Sequence, residues 1–384
     1  MEGVSDFATR LWFSRVSRPA FSATPFLRVT PSFPARRVSP LFAPESNALR
    51  GGTPWRLRRQ LMASDPEDFA RIAEALLQDD EDPIELNCGC PSPTVVGNGA
   101  GSSLLRSVDA FGTFVRRASQ VIGPQNLAIK MRTGFEDTRA FTGLLDQLAE
   151  LPLARLTVHG RTRAQRYTGQ ADWSLIGAAA KRMKLPVIGS GDVHNAASAA
   201  HKITEAPQLS GFVVGRGALR NPWIFSELRG EQPICFSPTT LTNVLRTFCV
   251  LQENQAASPE RLVDVARALI ERADPKTDEQ LWKDDLNWLQ TQSTDSTEIV
   301  DHRAKPKAFA RTKMLWHYLR SSLPLPLRTP LLLRSKDIDE FTAHIQKICA
   351  DHAITNLTPT WHPECDVLYS GQGNSNTLPN TLLN

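Results

Sequence analysis

The sequence predicts an α/β protein in which a (β/α)8 barrel of the TIM type is followed by an all-helical C-terminal domain. Short apolar segments alternate with amphipathic helical segments over roughly the first 230 residues, a pattern typical of parallel strands joined by crossover helices. Later segments show helical periodicity alone. The length of 384 residues allows one domain of about 250 residues and a smaller one.

Seven strands are predicted, because each segment is apolar and ends in glycine, proline or a polar residue. They span residues 21–29, 56–62, 84–87, 127–132, 155–159, 186–189 and 211–215. Helices are predicted between them at residues 66–78, 108–122, 138–150, 173–182 and 195–203. Most of these helices follow a side chain that can cap them, such as Ser64 or Asp65, Ser107, Asp172 or His194.

The start of the chain lacks a strand in this pattern. Residues 1–4 read Met-Glu-Gly-Val, and a helix capped by Ser5 or Asp6 is predicted at residues 7–16, where a barrel helix would normally follow a strand. We therefore expect the first of the eight barrel strands to be missing or truncated. Loss of one strand would expose two edges of the sheet.

A change of pattern after the last strand predicts the domain division. The barrel domain is predicted at residues 1–232, and helices at 239–255, 259–272 and 307–319 predict a helical domain at residues 238–352. Residues 273–301 are polar and acidic, which suggests a solvated excursion on its surface. Residues 353–384, which end in a stretch rich in Asn, Ser, Thr and Gly, are predicted to be a disordered tail.

Cysteine usage and hydropathy exclude several classes of protein. The six cysteines are scattered, and only Cys88 and Cys90 lie close together, so neither a disulfide framework nor zinc-finger spacing is present. No apolar run approaches the ~18 residues that a membrane helix needs, and the N-terminus does not resemble an export signal. We expect a cytoplasmic monomer without a structural metal.

The basic residues are mostly arginine. The net charge is only +4, but 33 of the 44 basic residues are arginines. Guanidinium groups pair with phosphate and stack on bases, so a polyanionic partner is one explanation. A compositional bias of the genome explains the same count equally well.

A turn with two cysteines follows the third predicted strand. Residues 84–92 read Ile-Glu-Leu-Asn-Cys-Gly-Cys-Pro-Ser, a short apolar strand that runs directly into this turn. In α/β enzymes the carboxyl ends of the strands hold the chemistry. An isolated cysteine there is nevertheless more often a small buried hydrophobe than a catalytic group.

Polar and cationic residues also follow nearly all of the remaining predicted strands. In a barrel these positions face one common mouth, and a packed core would not contain so many polar side chains. The candidate site residues on this basis are Arg28, Gln60, Asn87, Cys90, Lys130, Arg132, His159, Arg161, Ser190, Gly191, Asp192, Gly215 and Arg216.

Two of these strand ends are rich in glycine. Residues 189–192 read Gly-Ser-Gly-Asp and residues 215–217 read Gly-Arg-Gly. Glycines allow backbone N–H groups to approach phosphate oxygens, and Arg216 adds charge, so a phosphate-bearing cofactor is predicted. Tight turns without a ligand remain the alternative.

The cations of the mouth admit two interpretations. Lys130 and Arg132 share one face of a strand, which favours a site for an electron-rich ring or an anion over a structural ion pair. His159 is equally consistent with a structural role. Arg161, Arg163 and Arg166 form either a solvated rim or a rim that contacts phosphate.

Five motifs together resemble the tRNA-dihydrouridine synthase family. They occur in the family's order over about residues 1–319, and their combination is highly specific although no single motif is. Their residues are 87–92 (Asn-Cys-Gly-Cys-Pro-Ser), 94–101 (Thr-Val-Val-Gly-Asn-Gly-Ala-Gly), 130–134 (Lys-Met-Arg-Thr-Gly), 159–163 (His-Gly-Arg-Thr-Arg) and 215–219 (Gly-Arg-Gly-Ala-Leu). The first of these with 97–101, and the fourth with Tyr167 and Trp173, most resemble the bacterial subgroup that acts on uridine 16 of tRNA.

The resemblance implies an enzyme that binds FMN in the barrel and tRNA with help from the helical domain. In that family NADPH reduces FMN, hydride passes to C6 of a flipped uracil, and a cysteine donates a proton to C5. By motif position this cysteine is Cys90. A thiol suits the role because its reference pKa of about 8.5 keeps it protonated at neutral pH.

The resemblance also implies roles for the remaining candidates. Met1, Glu2, Gln60, Lys130 and His159 would contact the flavin, and Ser190, Gly191, Asp192, Gly215 and Arg216 would surround its phosphate. Uracil or tRNA would be contacted by Arg28, Asn87, Arg132, Arg161, Arg311, Lys313 and Tyr318. Flipping a loop uridine costs only a few kcal/mol.

Three departures from the family pattern leave alternatives open. The chain begins at the Met of the family's Ala-Pro-Met-Glu-Gly, Ser190 stands where asparagine is usual, and residues 273–301 form a long polar segment. An inactive RNA-binding relic that has lost flavin is one alternative. A different FMN barrel that reduces a small pyrimidine or enone is another, although it would not explain the helical domain.

Overall fold

Seven parallel strands form one sheet whose order follows the chain. The computed structural model describes residues 4–35, 38, 44–45, 56–78, 82–231, 235–272, 279–294 and 303–360. The strands are β1 (Phe21–Arg28), β2 (Arg56–Met62), β3 (Ile84–Cys88), β4 (Leu127–Arg132), β5 (Arg155–His159), β6 (Val187–Ser190) and β7 (Gly211–Val213). All seven predicted strands are confirmed, to within two residues at each end.

The helices that join these strands place the sheet in the (β/α)8 barrel class of folds. They are α2 (Pro66–Leu77), α3 (Pro93–Gly97), α4 (Val108–Ile122), α5 (Phe141–Ala149), α6 (Trp173–Arg182) and α7 (Ala196–Glu205). Asp65 caps α2 by accepting hydrogen bonds from the amides of Glu67 and Asp68. The cap of α7 is Asn195 and not the predicted His194, because the Asn195 side chain accepts a hydrogen bond from the Ser198 amide.

The strand register aligns the predicted site residues in two rows. Asn87, Lys130, Thr157 and Ile188 are consecutive partners across β3 to β6. Two residues further along, Arg132, His159, Ser190 and Val213 are partners across β4 to β7. Since alternate residues of a strand share a face, the second row lies one step closer to the carboxyl ends of the strands.

A second unit is helical throughout its described elements. The chain divides into one unit with the seven strands and α2 to α7, and another with the remaining helices. These are α1 (Phe7–Val16), α8 (Arg216–Arg220), α9 (Ile224–Leu228), α10 (Pro238–Ala257), α11 (Pro259–Glu271), α12 (Glu279–Thr294), α13 (Ala304–Leu319) and α14 (Ile338–Asp351). The division falls after Gly215, whereas the predicted barrel domain extended to residue 232.

Helix α1 belongs to the helical unit because its polar and aromatic contacts are there. The Trp12 indole N–H donates to the carbonyl of Val244 in α10, at 3.0 Å. Asp6 caps α1 through the Thr9 amide and also accepts hydrogen bonds from Gln252 and Arg311. Sequence alone assigned this helix to the barrel.

The prediction of a solvated excursion at residues 273–301 is wrong for residues 279–294, which form α12. Trp282, Leu286 and Leu289 recur at helical spacing and are buried. Asp285 is 3% exposed and accepts hydrogen bonds from Arg15 and Arg272. The acidic composition suggested exposure, but the Asp285 carboxylate is buried with Arg15 and Arg272, which lie outside this helix.

Two further observations concern the described residues alone. None of their helices combines the length and the apolar character that a membrane crossing requires. In the same parts of the chain, no three histidine, cysteine, aspartate or glutamate side chains come together as metal ligands. Most of the predicted tail lies outside the described residues, but Leu357 forms an antiparallel bridge with Phe236.

Candidate active site

The cysteine turn lies at the carboxyl end of β3 and is hydrogen-bonded to a short 3-10 helix, Gly101–Arg106. The carbonyl of Cys90 accepts hydrogen bonds from the Ser102 amide and hydroxyl, at 3.2 and 2.7 Å. A side chain at Gly101 would clash with Val95, and its φ of +61° also favours glycine. Cys90 is 5% exposed, whereas Cys88 is fully buried, and burial raises the pKa of the Cys88 thiol.

The side chain of Asn87 connects this turn to β2. Its Nδ2 donates to Oε1 of Gln60 at 2.8 Å, and its Oδ1 accepts from the Gly89 amide at 2.9 Å. Both ends of the amide therefore have partners within the protein. The arrangement holds Gln60, Asn87 and the start of the turn in one hydrogen-bonded chain.

Lys130 is a partly buried cation beside the same turn. A Cβ atom on Gly89 would lie 3.4 Å from its Nζ atom. Burial lowers the pKa of Lys130, and the nearby Arg132 lowers it further. Glu85, Cys90 and Cys88 act in the opposite direction and raise it. Among the described residues its ammonium has no hydrogen-bond or ion-pair partner. A partly buried cation without such a partner fits an electron-rich or anionic ligand.

Arg132 holds the cysteine turn from the other side. Its Nε donates to the carbonyl of Gly89 at 2.7 Å, and one terminal nitrogen donates to the carbonyls of Thr162 and Arg166, at 2.9 and 3.0 Å. The residue is 2% exposed. Its guanidinium therefore fixes the turn after β3 against the loop after β5.

Arg161 and Asp192 connect the next pair of loops. One Arg161 nitrogen donates to both carboxylate oxygens of Asp192, and Asp192 also accepts from the Ala171 amide at 2.7 Å. Arg161 further donates to the carbonyls of Thr168 and Gly169. The Asp192 carboxylate is thus occupied within the protein, and a phosphate here would meet backbone N–H groups instead.

The loop that follows β6 passes close to His159. Gly191 has a φ of +126°, and a Cβ atom there would lie 2.6 Å from Ala171 Cβ and 3.2 Å from His159 Cδ2. The Trp173 indole donates to the Gly191 carbonyl at 3.1 Å. Only glycine lets the backbone pass so close to these side chains, which is the geometry that a phosphate-binding loop needs.

Other predicted site residues are less enclosed. Arg28 ends β1 beside Met62 and is half-buried. Gly215 is exposed, and Arg216 begins α8, which belongs to the helical unit. Met1 and Glu2 lie outside the described residues.

Three predicted tRNA-contacting residues lie on α13 of the helical unit. Arg311 forms an ion pair with Asp6 and lies 3.6 Å from the Met314 sulfur. The Lys313 ammonium lies 4.5 Å from the centroid of the Phe309 ring, and burial lowers its pKa. Tyr318 packs edge-to-face with His317. These contacts keep the side chains on one helix in defined positions.

One group of cations was not recognised as a group in the sequence. The guanidinium carbons of Arg106 and Arg163 lie 4.4 and 5.0 Å from the centroid of the Phe135 ring. Arg106 is 29 positions from Phe135 along the chain, so no local pattern indicates the contact.

Comparison with solved structures finds proteins of low overall similarity to this chain. Morphinone reductase matches with a TM-score of 0.41 and 11% identity over 61% of this chain and 84% of that one. The old yellow enzyme homologue from Zymomonas mobilis matches with a TM-score of 0.43 and 10% identity.

Sequence comparison finds relatives among curated proteins. The chain is 28% identical to the tRNA-dihydrouridine(16) synthase of Escherichia coli O157:H7 over 79% of this chain and 90% of that protein. It is 30% identical to a tRNA-dihydrouridine(47) synthase-like protein of Oryza sativa subsp. japonica over 69% of this chain and 40% of that protein. The chain spans 28 to 40% of the length of the plant, fungal and mammalian relatives it matches.

A family profile matches a larger part of the chain. Its description is "Dihydrouridine synthase (Dus)", and the match covers residues 1–300 of the 384. The match includes every strand and the Asn87, Cys90 and Lys130 cluster described above. The chain therefore belongs to the dihydrouridine synthase family.

Proposed function

We propose that the protein is an FMN-dependent tRNA-dihydrouridine synthase that reduces the C5=C6 bond of a tRNA uridine with NADPH as the reductant. We propose further that it acts as a monomer in the cytoplasm, and that the uridine is at position 16. Family membership supports the reaction class. The match over 90% of the E. coli relative supports position 16, because that protein's name specifies this uridine.

The observation that carries the proposal is the position of Cys90 beside Lys130. The turn that bears the thiol is held by Asn87 and Arg132 through the amide and the carbonyl of Gly89. Lys130 adds a partly buried ammonium without a hydrogen-bond or ion-pair acceptor among the described residues. A proton donor on a turn held by hydrogen bonds and a cation beside it suit a reaction in which negative charge develops on a flat ring.

The residues present fit FMN. When bound and reduced by NADPH, FMN supplies hydride to C6 of the uracil. Lys130 and Gln60 would contact the isoalloxazine ring, and His159 would lie near the ring or the phosphate. The backbone of Ser190, Gly191 and Asp192 would hold the phosphate together with Gly215 and Arg216, and Gly191 supports this because no larger residue fits there. Met1 and Glu2, also proposed as flavin contacts, lie outside the described residues.

Cys90 would donate the proton that C5 receives. Cys88 does not suit this role, because it is fully buried and burial raises its pKa. Asn87 and Arg28 would face the uracil or the tRNA backbone. Arg132 and Arg161 would act in the same region mainly by holding its loops, since their guanidinium groups bond to protein carbonyls and to Asp192. Arg311, Lys313 and Tyr318 would contact tRNA from the helical unit.

The experiment uses the full chain, NADPH and tRNA that lacks dihydrouridine. We expect flavin absorbance in the purified protein and formation of dihydrouridine, with mass spectrometry locating it at position 16. Cys90→Ala should retain the flavin and lose at least 100-fold in uridine reduction, within the range known for general acid catalysis. Cys88→Ala is the matched control and should keep most of the activity.

Specific outcomes would contradict each part. Dihydrouridine at position 47 alone would overturn the assignment of the uridine. An active Cys90→Ala variant would overturn the proton donor. A protein that binds tRNA but holds no flavin after reconstitution would be an RNA-binding protein and not a reductase.

A further inference from the structure

A cationic surface patch lies on the strand-bearing unit, outside the cluster around Cys90. We call it the Phe135 patch, and it comprises Arg106, Phe135, Arg163 and Arg166. Arg106 and Arg163 both stack on the Phe135 ring, at 4.4 and 5.0 Å from its centroid. The Arg166 amide donates to the Arg163 carbonyl, which keeps the third arginine in the same turn.

Among the residues that the structure describes, these arginines lack carboxylate partners, unlike several other arginines of the unit. Arg117 pairs with Glu67 and Arg139 pairs with Asp137. Within the described residues no ion pair involves Arg106, Arg163 or Arg166. The exposed Glu136, next to Phe135 in the chain, pairs with none of them.

Two cations on one aromatic ring leave an unbalanced charge. Each guanidinium is attracted to the ring, but the two guanidinium groups repel each other. The Nε atom of Arg163 is buried and has no hydrogen-bond partner. An unsatisfied buried donor destabilises the protein, and more so when the group is charged. An anion bound by the two arginines would offset the repulsion between their charges.

The patch is joined to the cysteine turn by hydrogen bonds on two sides. Arg106 ends the 3-10 helix whose Ser102 donates to the Cys90 carbonyl. On the other side, Arg132 donates to the carbonyls of both Gly89 and Arg166. A ligand held by the patch therefore lies on the same framework that positions the Cys90 thiol.

We infer that the Phe135 patch is a phosphodiester subsite that holds the RNA strand next to the uridine being reduced. Arginine forks match phosphate oxygens in geometry and charge. Phe135 is only 7% exposed, so it supports the arginines and does not offer a face on which a base could stack. The inference rests on the proposed function, because it takes RNA as the substrate of the neighbouring thiol.

The test compares Arg106→Gln, Arg163→Gln and the double variant with wild type. The matched control is Arg139→Gln, which removes an exposed arginine that already has a carboxylate partner. Binding of unmodified tRNA is measured across salt concentrations, and steady-state kinetics are measured with tRNA and with NADPH.

The double variant should bind tRNA at least 10-fold more weakly at low salt. The slope of log Kd against log salt should decrease by about 0.7–0.9 for each arginine removed. KM for tRNA should rise with little change in kcat, and KM for NADPH and the flavin content should stay at wild-type values. Arg163→Lys should recover much of the salt slope, because it keeps the charge.

Other outcomes overturn the inference. If the double variant has the same affinity and salt slope as Arg139→Gln, the patch does not bind RNA. A rise in KM for NADPH without a change for tRNA would assign the patch to the phosphates of the nicotinamide cofactor, and loss of flavin would show a structural role. Wild type that binds tRNA at the patch without reducing uridine would refute the proposed activity and leave the subsite in place.

Discussion

Arg161 donates hydrogen bonds from a single terminal nitrogen to both carboxylate oxygens of Asp192, at 2.8 and 2.9 Å. The Arg161 side chain is 3% exposed and that of Asp192 is 16% exposed. The pair links the loop after β5 to the glycine-containing loop after β6. Two residues that the sequence assigned to different ligands therefore bind each other.

Asp192→Asn should weaken this link with little change in shape. Arg161 would remain buried without a compensating charge, so we expect the free energy of unfolding to fall by about 2 kcal/mol, less than for a fully buried pair. Flavin affinity should fall with it, because the loop carries the proposed phosphate contacts. Urea unfolding and flavin titration would measure the two effects. Asp137→Asn, in an exposed ion pair, is the control and should change stability much less than Asp192→Asn.

Arg132→Lys tests whether the fork of Arg132 positions the cysteine turn. A lysine ammonium cannot reproduce the geometry by which one guanidinium reaches Gly89, Thr162 and Arg166. We expect kcat for uridine reduction to fall about 10-fold or more while the flavin spectrum is retained. Arg139→Lys is the control. An unchanged kcat would show that the turn is held adequately without the fork.

Lys130→Met should lower flavin affinity and uridine reduction without lowering the stability of the flavin-free protein. Burial lowers the pKa of Lys130, which means that the folded protein disfavours the charged ammonium. Replacing it with an apolar side chain should leave the flavin-free protein at least as stable at pH 7, while flavin affinity and uridine reduction fall. Thermal unfolding of the flavin-free variant is the measurement. A clear loss of stability would instead assign Lys130 a structural role.

Cys249 should make stability depend on alkaline pH. Burial raises the pKa of this α10 thiol from 9.0 to about 11, although a hydrogen bond with Thr312 opposes the shift. The unfolded thiol loses its proton first, so the contribution is complete below pH 9 and is lost as pH rises through about 11. The shift corresponds to roughly 2–3 kcal/mol at 1.36 kcal/mol per pKa unit.

The measurement compares wild type with Cys249→Ala in urea unfolding between pH 8 and pH 11. The difference in stability between the two proteins should shrink as pH rises, since only wild type loses this contribution. A constant difference would mean that Cys249 is accessible to ionisation in the folded state. Cys235→Ala is the control, because Cys235 is exposed.

Local pattern was sufficient for the strands and for the place of the reactive turn. Each strand is a short apolar segment closed by a turn residue, and those properties depend on immediate neighbours. The helix at residues 279–294 was not predicted, because its stability depends on contacts with residues outside the helix. Its buried Asp285 is tolerable only because Arg15 and Arg272 are its partners, and Arg15 comes from α1.

The sequence by itself determined that Cys90, Lys130, Arg132, Arg161 and Asp192 stand at the ends of parallel strands, since strand order and alternation specify that position. The tertiary structure alone decided what each side chain does there. Arg132 and Arg161 turn toward carbonyls and a carboxylate within the protein, and Arg106 and Arg163 meet on Phe135. The physical reason is that a buried polar group must find its partner in space, and such partners are often distant in the chain.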